Sequence, residues 1–180
     1  MRAFIAIDIG KKDEIIKLMD EFKKIKGKFK LVEPENVHLT LKFLGEIEED
    51  MIEKIKEAIE KSVEEITPFK ASLSGLGVFP SMDYMRVLWI GFKDEGQTKK
   101  IAFHLEEELQ KYGFKREKKF TPHITIARIK SKEGKEEIKK FIEKHKEKNF
   151  GEVECMEICL KKSILRPEGP IYETIEEIKL

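Results

Sequence analysis

Amides are nearly absent from this chain of 180 residues: Asn36 and Asn149 are its only asparagines, Gln97 and Gln110 its only glutamines. Such usage, among abundant Lys, Glu and Ile, resembles that of hyperthermophile proteins, where thermolabile amides are rare and ion-pair networks common. Cysteine is as scarce. Cys155 and Cys159 fall in VECMEICL, which reads as one strand. Four residues of strand span roughly 13 Å at ~3.3 Å per residue, which excludes an intra-strand disulfide. No second pair exists to complete a zinc ribbon, so buried free thiols in a reducing cytosol are expected. The opening run MRAFIAIDIG is too short for a signal peptide and lacks a small-residue cleavage site. No later run is long enough to span a membrane. Nor is one sign of charge in excess: Lys+Arg number 36 and Asp+Glu 35, so attraction to a phosphate must be local. No long apolar heptad demands an obligate dimer, and a cytoplasmic monomer is the expectation.

What the chain does have is enough apolar material for a core. Hydrophobic residues make up 40% and charged residues 39%, the balance of a globular protein with a heavily charged surface. A chain of this length needs no disulfide or structural metal to fold. Alternation in RAFIAIDI predicts a strand over 2–9. Ile15, Leu18, Met19, Phe22 and Ile25 recur at helical spacing and predict an amphipathic helix over 11–26, ended by Gly27. FKLVEPENVHLTLKFLGE reads as two short strands around Pro34. A second helix is predicted over 49–65 and stops at Thr67-Pro68. Then come strands in FKASLSGLGVFP and YMRVLWIGFK, a helix over 97–111, a strand in KFTPHITIARI, a helix over 135–146, and closing strands in FGEVECMEICLKKSIL and PIYETIEEIKL. SGLG at 74–77 lacks the Lys and helix start of a phosphate loop and reads as a strand kink or bulge.

One feature recurs. FKLVEPENVHLTL aligns without gaps on FKREKKFTPHITI at an offset of 85 residues, bringing Phe29 onto Phe114, His38 onto His123 and Thr40 onto Thr125. Each copy follows an amphipathic helix and precedes another helix and a pair of strands. The expectation is an α+β fold spanning residues 1–180 as a single domain. It would have two pseudo-symmetric lobes, each a mainly antiparallel sheet with flanking helices, and a cleft between them.

On a strand, residues i and i+2 share a face, so each motif lays an imidazole beside a hydroxyl. Two such pairs across a seam supply two groups able to trade protons near neutral pH and two hydroxyl donors. A phosphodiester, with anionic oxygens and a bond broken by in-line displacement, suits that set. One imidazole would take a proton from attacking water, the other would protonate the departing oxygen, and Thr40 and Thr125 would hold the non-bridging oxygens. Neither motif carries a carboxylate or thiol at metal-ligand spacing, so no metal or cofactor is expected.

HLTLKFLGE and TPHITIAR, with RAFIAIDI, RVLWIGF and LRPEGPIYE, resemble the two-histidine phosphoesterase superfamily. More narrowly, they resemble its RNA 2′,3′-cyclic phosphodiesterases, long labelled 2′-5′ RNA ligases. The resemblance implies a bilobal α+β fold and metal-independent opening of a terminal 2′,3′-cyclic phosphate to a 2′-phosphate. It also implies His38 as proton donor and His123 as proton acceptor, roles that the residues alone leave open. The partners it implies are RNA 3′ ends with a 2′,3′-cyclic phosphate, among them fragments of tRNA. Two other readings stand beside it: 2′-5′ ligation of cleaved tRNA halves by the same histidines, and a non-catalytic RNA-end or nucleotide-binding module.

Further candidates follow from position. Regular alternation puts Lys42 on the face of His38 and Arg128 on the face away from His123. Arg86 and Arg166 are candidates for a basic rim, and Tyr172 and Phe43 for stacking on a base. Trp89 is expected in the core, and His104 and His145 on helix surfaces.

Overall fold

The apolar stripes that predict four helices all fold as such in the computed structural model, which describes residues 1–180. These are α1 (Asp13–Phe22), α2 (Ile52–Ser62), α3 (Gln97–Gln110) and α4 (Lys135–His145). Their ends have local causes. Just before α3, the Asp94 carboxylate accepts the N–H groups of Gly96 (3.1 Å) and Thr98 (2.8 Å), satisfying donors that the first helical turn leaves free.

The strands are β1 (Arg2–Asp8), β2 (Phe29–Leu31), β3 (His38–Glu46), β4 (Phe69–Pro80), β5 (Met85–Lys93), β6 (His123–Ile129), β7 (Asn149–Cys155), β8 (Glu157–Ile164) and β9 (Ile171–Lys179). They form one antiparallel sheet in the order β7-β4-β5-β6-β3-β1-β8-β9, with β2 added to β6. The fold is α+β. Its sheet divides into two lobes because β3 and β6 close a ladder at one pair only, Leu39 with Ile124. Those two residues are equivalent under the 85-residue offset, as a twofold through the seam requires. The edge strand β7 runs into β8, the neighbour of the opposite edge strand β9, through Met156 alone, so the sheet curls.

Cys155 and Cys159 therefore lie in two strands and not in one, Cys155 beside Phe69 and Cys159 beside Ala6. Both are free and buried. Burial pushes their thiols up, to about 12 for Cys155 and about 11 for Cys159, which keeps them protonated and unreactive at neutral pH.

Helices cover only one face of the curled sheet. α1 and α4 pack on the β4–β7 side, joined by the edge-on contact of Phe22 with Phe141, while α2 and α3 pack together over β3 and β9. Forty buried apolar residues form one continuous core beneath them, including Ile5, Ile7, Leu39, Ile90, Ile124 and Ile126. His145, expected at the surface, is buried against Phe141. Its Nε2 lies 3.1 Å from Glu21 on α1, and Lys144 donates to the same carboxylate at 2.6 Å and holds it below the usual carboxylate range. His104 is on the surface beside Glu107. No helix is long and apolar enough to cross a membrane. The sheet's other face, left open at the seam, carries both histidines.

Candidate active site

Extending the Leu39–Ile124 register by one residue each way sets His38 opposite Thr125 and Thr40 opposite His123. The strands splay on either side of that pair, leaving room between the four side chains. All four line one cavity of about 640 Å³.

Both imidazoles are fixed in the same way. The turn before each strand brings a backbone carbonyl two residues back onto the ring: Nδ1–H of His38 donates to Asn36 O at 2.7 Å, and that of His123 to Thr121 O at 2.7 Å. A carbonyl can only accept, so Nδ1 carries the proton and Nε2 is turned to the cleft. In neutral His38, Nε2 then accepts from the Thr40 hydroxyl at 2.8 Å, whereas Nε2 of His123 has no protein partner. The first turn is itself clipped from outside. The Asn36 amide donates to Pro170 O at 2.9 Å, and Arg166 forks onto Glu33 at 2.8 and 2.9 Å while its Nε donates to Gly169 O at 2.8 Å. The loop of LRPEGP thus holds the segment that orients His38, and Arg166, expected at an RNA-binding rim, is engaged in that clip.

Each ring also rests on two aromatics. Phe4 and Tyr172 flank His38 at 5.1 and 5.3 Å between centroids, and Phe79 and Trp89 flank His123 at 4.9 and 6.3 Å. Trp89 is thus half-buried beside a histidine of the site, outside the core in which it is expected. It lies so close over β4 that a Cβ at Gly77 would overlap its ring, which is why that strand carries glycine there. The 85-residue offset also superposes Phe4 on Trp89, a signal that was present in the sequence.

Burial pushes the His38 imidazole below its ordinary value, against the pull of the Asn36 carbonyl and the Asp8 carboxylate. Asp8 is in turn paired with Lys161 at 2.8 Å, and Lys161 donates to Thr174 at 3.0 Å. Burial thus favours the neutral form of His38, with the Asp8 carboxylate acting the other way.

Strand alternation misplaces two residues, for one reason. On β3 the register skips Leu41, so Thr40 faces Ala6 while Lys42 faces Ile5. On β6 it skips Ile126, so Thr125 faces Trp89 while Arg128 faces Val87. The skipped residues are again equivalents at the 85-residue offset, and each bulge inverts the parity beyond it. Lys42 consequently turns under α3, buried, with its ammonium 2.9 Å from Glu106 Oε1 and 2.7 Å from Lys115 O. Arg128 comes onto the cleft face, and so does Phe43, which is 70% exposed. Arg86 does not reach the cleft: it bonds the Tyr84 hydroxyl at 3.0 Å and borders a separate depression with Lys132. The SGLG kink is a bulge at Gly75, where φ is +75°.

No group of three or more His, Cys, Asp or Glu side chains is placed to hold a metal ion. What the site offers is two fixed imidazoles, two hydroxyls and aromatic walls. A family model described as the AKAP7 2′5′ RNA ligase-like domain matches residues 4–180. The chain belongs to that family. A protein of Methanocaldococcus jannaschii named RNA 2′,3′-cyclic phosphodiesterase is 46% identical over 179 residues, covering 98% of this chain and 99% of that one. A protein of the same name from Archaeoglobus fulgidus is 39% identical over 177 residues, covering 97% and 98%. Among solved structures, TT0787 of Thermus thermophilus superposes with a TM-score of 0.82 at 27% identity, covering 100% of this chain and 98% of that one.

Proposed function

We propose that this member of the 2′5′ RNA ligase-like family hydrolyses a terminal RNA 2′,3′-cyclic phosphate to a 2′-phosphate without a metal, using both motifs of a duplicated domain. The observation that carries this reading is the matched pair of imidazoles, each with Nδ1–H held by a carbonyl and Nε2 facing one cavity. Water attacks phosphorus and loses a proton to Nε2 of neutral His123. The P–O3′ bond breaks, and Nε2–H of protonated His38 passes its proton to O3′. Thr40 and Thr125 donate to the non-bridging oxygens as charge builds there. Proton donation by His38 requires the Thr40 hydroxyl to leave its nitrogen and turn to the phosphate. The activity named for the relatives supports the substrate, and the resemblance of the two motifs to those of the two-histidine phosphoesterases supports the order of roles.

The test is incubation of a short RNA ending in a 2′,3′-cyclic phosphate with the protein in excess chelator. A 2′-phosphate product supports the reading; a 3′-phosphate reverses the leaving group, and activity restored only by added zinc or manganese removes the metal-free step. A joined 2′-5′ product from two RNA ends would assign ligation instead.

A pH profile follows from the state of His38. As donor it must be protonated, yet burial holds its value down in the free protein. A bound phosphodiester anion stabilises the imidazolium and raises that value. The alkaline limb of kcat, which reports the complex, is therefore expected at higher pH than that of kcat/KM, which reports the free protein. Coincident limbs would exclude His38 as the donor to a bound anion.

A further inference from the structure

The outer neighbours of β3 and β6 break the symmetry of the site. Across the β1–β3 ladder the residue opposite His38 is Asp8. Across the β5–β6 ladder the residue opposite His123 is Gly91. Directly opposed residues share a face of the sheet, with Cβ atoms ~4.5–5.5 Å apart. A carboxylate therefore stands beside one ring, and none can take that place beside the other. Glycine is required there, because a Cβ on Gly91 would lie 2.5 Å from Ser74 O on β4.

Asp8 is half-exposed and held from one side. Lys161 on β8 is buried, and its ammonium donates to the Asp8 carboxylate at 2.8 Å and to the Thr174 hydroxyl on β9 at 3.0 Å. Burial lowers the proton affinity of His38. Among its charged neighbours the Asp8 carboxylate raises it most, ahead of the opposing Lys161 ammonium and His123. Tyr172, which flanks the ring from β9, has its phenol pushed up by burial and stays neutral. The remaining charged groups, Lys99, Glu106, Arg116, Glu117, Lys118 and Lys119, line the space that both rings share. Glu106 among them is neutralised by Lys42.

Resting on the phosphodiesterase reading, we infer that Asp8, restrained by Lys161, is a positioning residue that marks His38 and not His123 as the proton donor. Two HxT motifs related by a pseudo-twofold present equivalent rings, yet the reaction needs one protonated and one neutral. The carboxylate supports the imidazolium on the ring that must begin with its proton. Gly91 leaves the ring that must begin neutral without such support. Lys161 fixes the carboxylate and tempers its charge, so that it acts on His38 through space. The order of roles is thus written in the outer strands, where the two halves differ, and not in the motifs, where they agree.

The experiment titrates the histidine rings of the free protein by NMR, with signals assigned through His38→Ala and His123→Ala. It also follows the pH profile of kcat/KM on a short RNA ending in a 2′,3′-cyclic phosphate. Asp8→Asn keeps the shape, removes the anion and leaves the Lys161 cation. His38 then titrates lower, and the alkaline limb of kcat/KM falls by roughly half a pH unit, the scale of one partly exposed charge at close range. Lys161→Met leaves Asp8 unopposed and moves both upward by a similar amount. Lys161→Gln, which keeps a donor for Thr174, gives the same sign and serves where the methionine variant folds poorly. His123 moves less than His38 in every variant. Shifts of opposite sign from two residues in contact are not what a structural lesion produces. A His38 that neither variant moves, or shifts of one sign in both, overturns the inference. So does a shift of His38 that the limb of kcat/KM does not follow. Absence of turnover in the parent overturns the phosphodiesterase reading and the donor role with it, while the titrations still report whether Asp8 governs the ring.

Discussion

Replacing His123 by alanine is expected to lower turnover of an RNA 2′,3′-cyclic phosphate end by roughly 10²–10⁴-fold, the usual value of a placed general base. His38→Ala should cost a similar factor, because the ring proposed to donate to O3′ is held by the same kind of carbonyl contact. The double variant is expected to lose far less than the product of the two, since acid and base act in one displacement and the second loss finds little left to remove. Single-turnover assays with excess protein measure this directly, and binding of the end by the double variant separates catalysis from grip. The non-catalytic alternative makes the opposite forecast: a parent that never hydrolyses and a double variant that binds as before. Thr40→Val and Thr125→Val keep shape and remove one hydroxyl each, so they should lower kcat more than they raise KM.

The physical basis of what could be read beforehand is clear in these strands. His38 and His123 were legible because the offset of 85 residues recurs over a whole motif, and the structure pairs the equivalents Leu39 and Ile124 across the seam. The helices were legible from apolar spacing. Lys42 and Arg128 were not placed, because alternation assumes a regular ladder and a one-residue bulge reverses it without any Gly or Pro to announce it. Trp89 was read as core on residue type, although its match to Phe4 in the repeat placed it beside a histidine. The carbonyls of Asn36 and Thr121 leave no trace in side-chain identity, since any residue supplies one. Arg166 shows the limit of charge as a guide: a guanidinium expected at an RNA-binding rim is engaged instead in shaping the turn that holds the His38 ring.

Lys42→Met is expected to destabilise the protein by about 3–5 kcal/mol, the cost of leaving one member of a buried ion pair alone. Lys42 spends its donors on both oxygens of Glu106, at 2.9 and 3.0 Å, and on Lys115 O at 2.7 Å. Glu106 accepts in addition the N–H of Glu117 at 2.8 Å. Removing the ammonium strands a carboxylate under α3 with that single amide as support. For a chain of this size the loss should appear as a fall in Tm on the order of 10 °C. Lys42→Met combined with Glu106→Leu should recover much of it, because an apolar pair needs no compensating charge. A double variant no better than the single would mean that the pair contributes packing alone. The same contacts pin residues 115–117, a few residues before Thr121, whose carbonyl holds His123. Even where the single variant remains folded in the cold, its kcat should fall, and the apolar double variant should not fully restore it. The amide of Glu117 and the carbonyl of Lys115 then have no partner to fix the segment. Recovery of Tm without recovery of kcat is the signature of a buried charge pair that positions the proposed general base from the opposite face of the sheet.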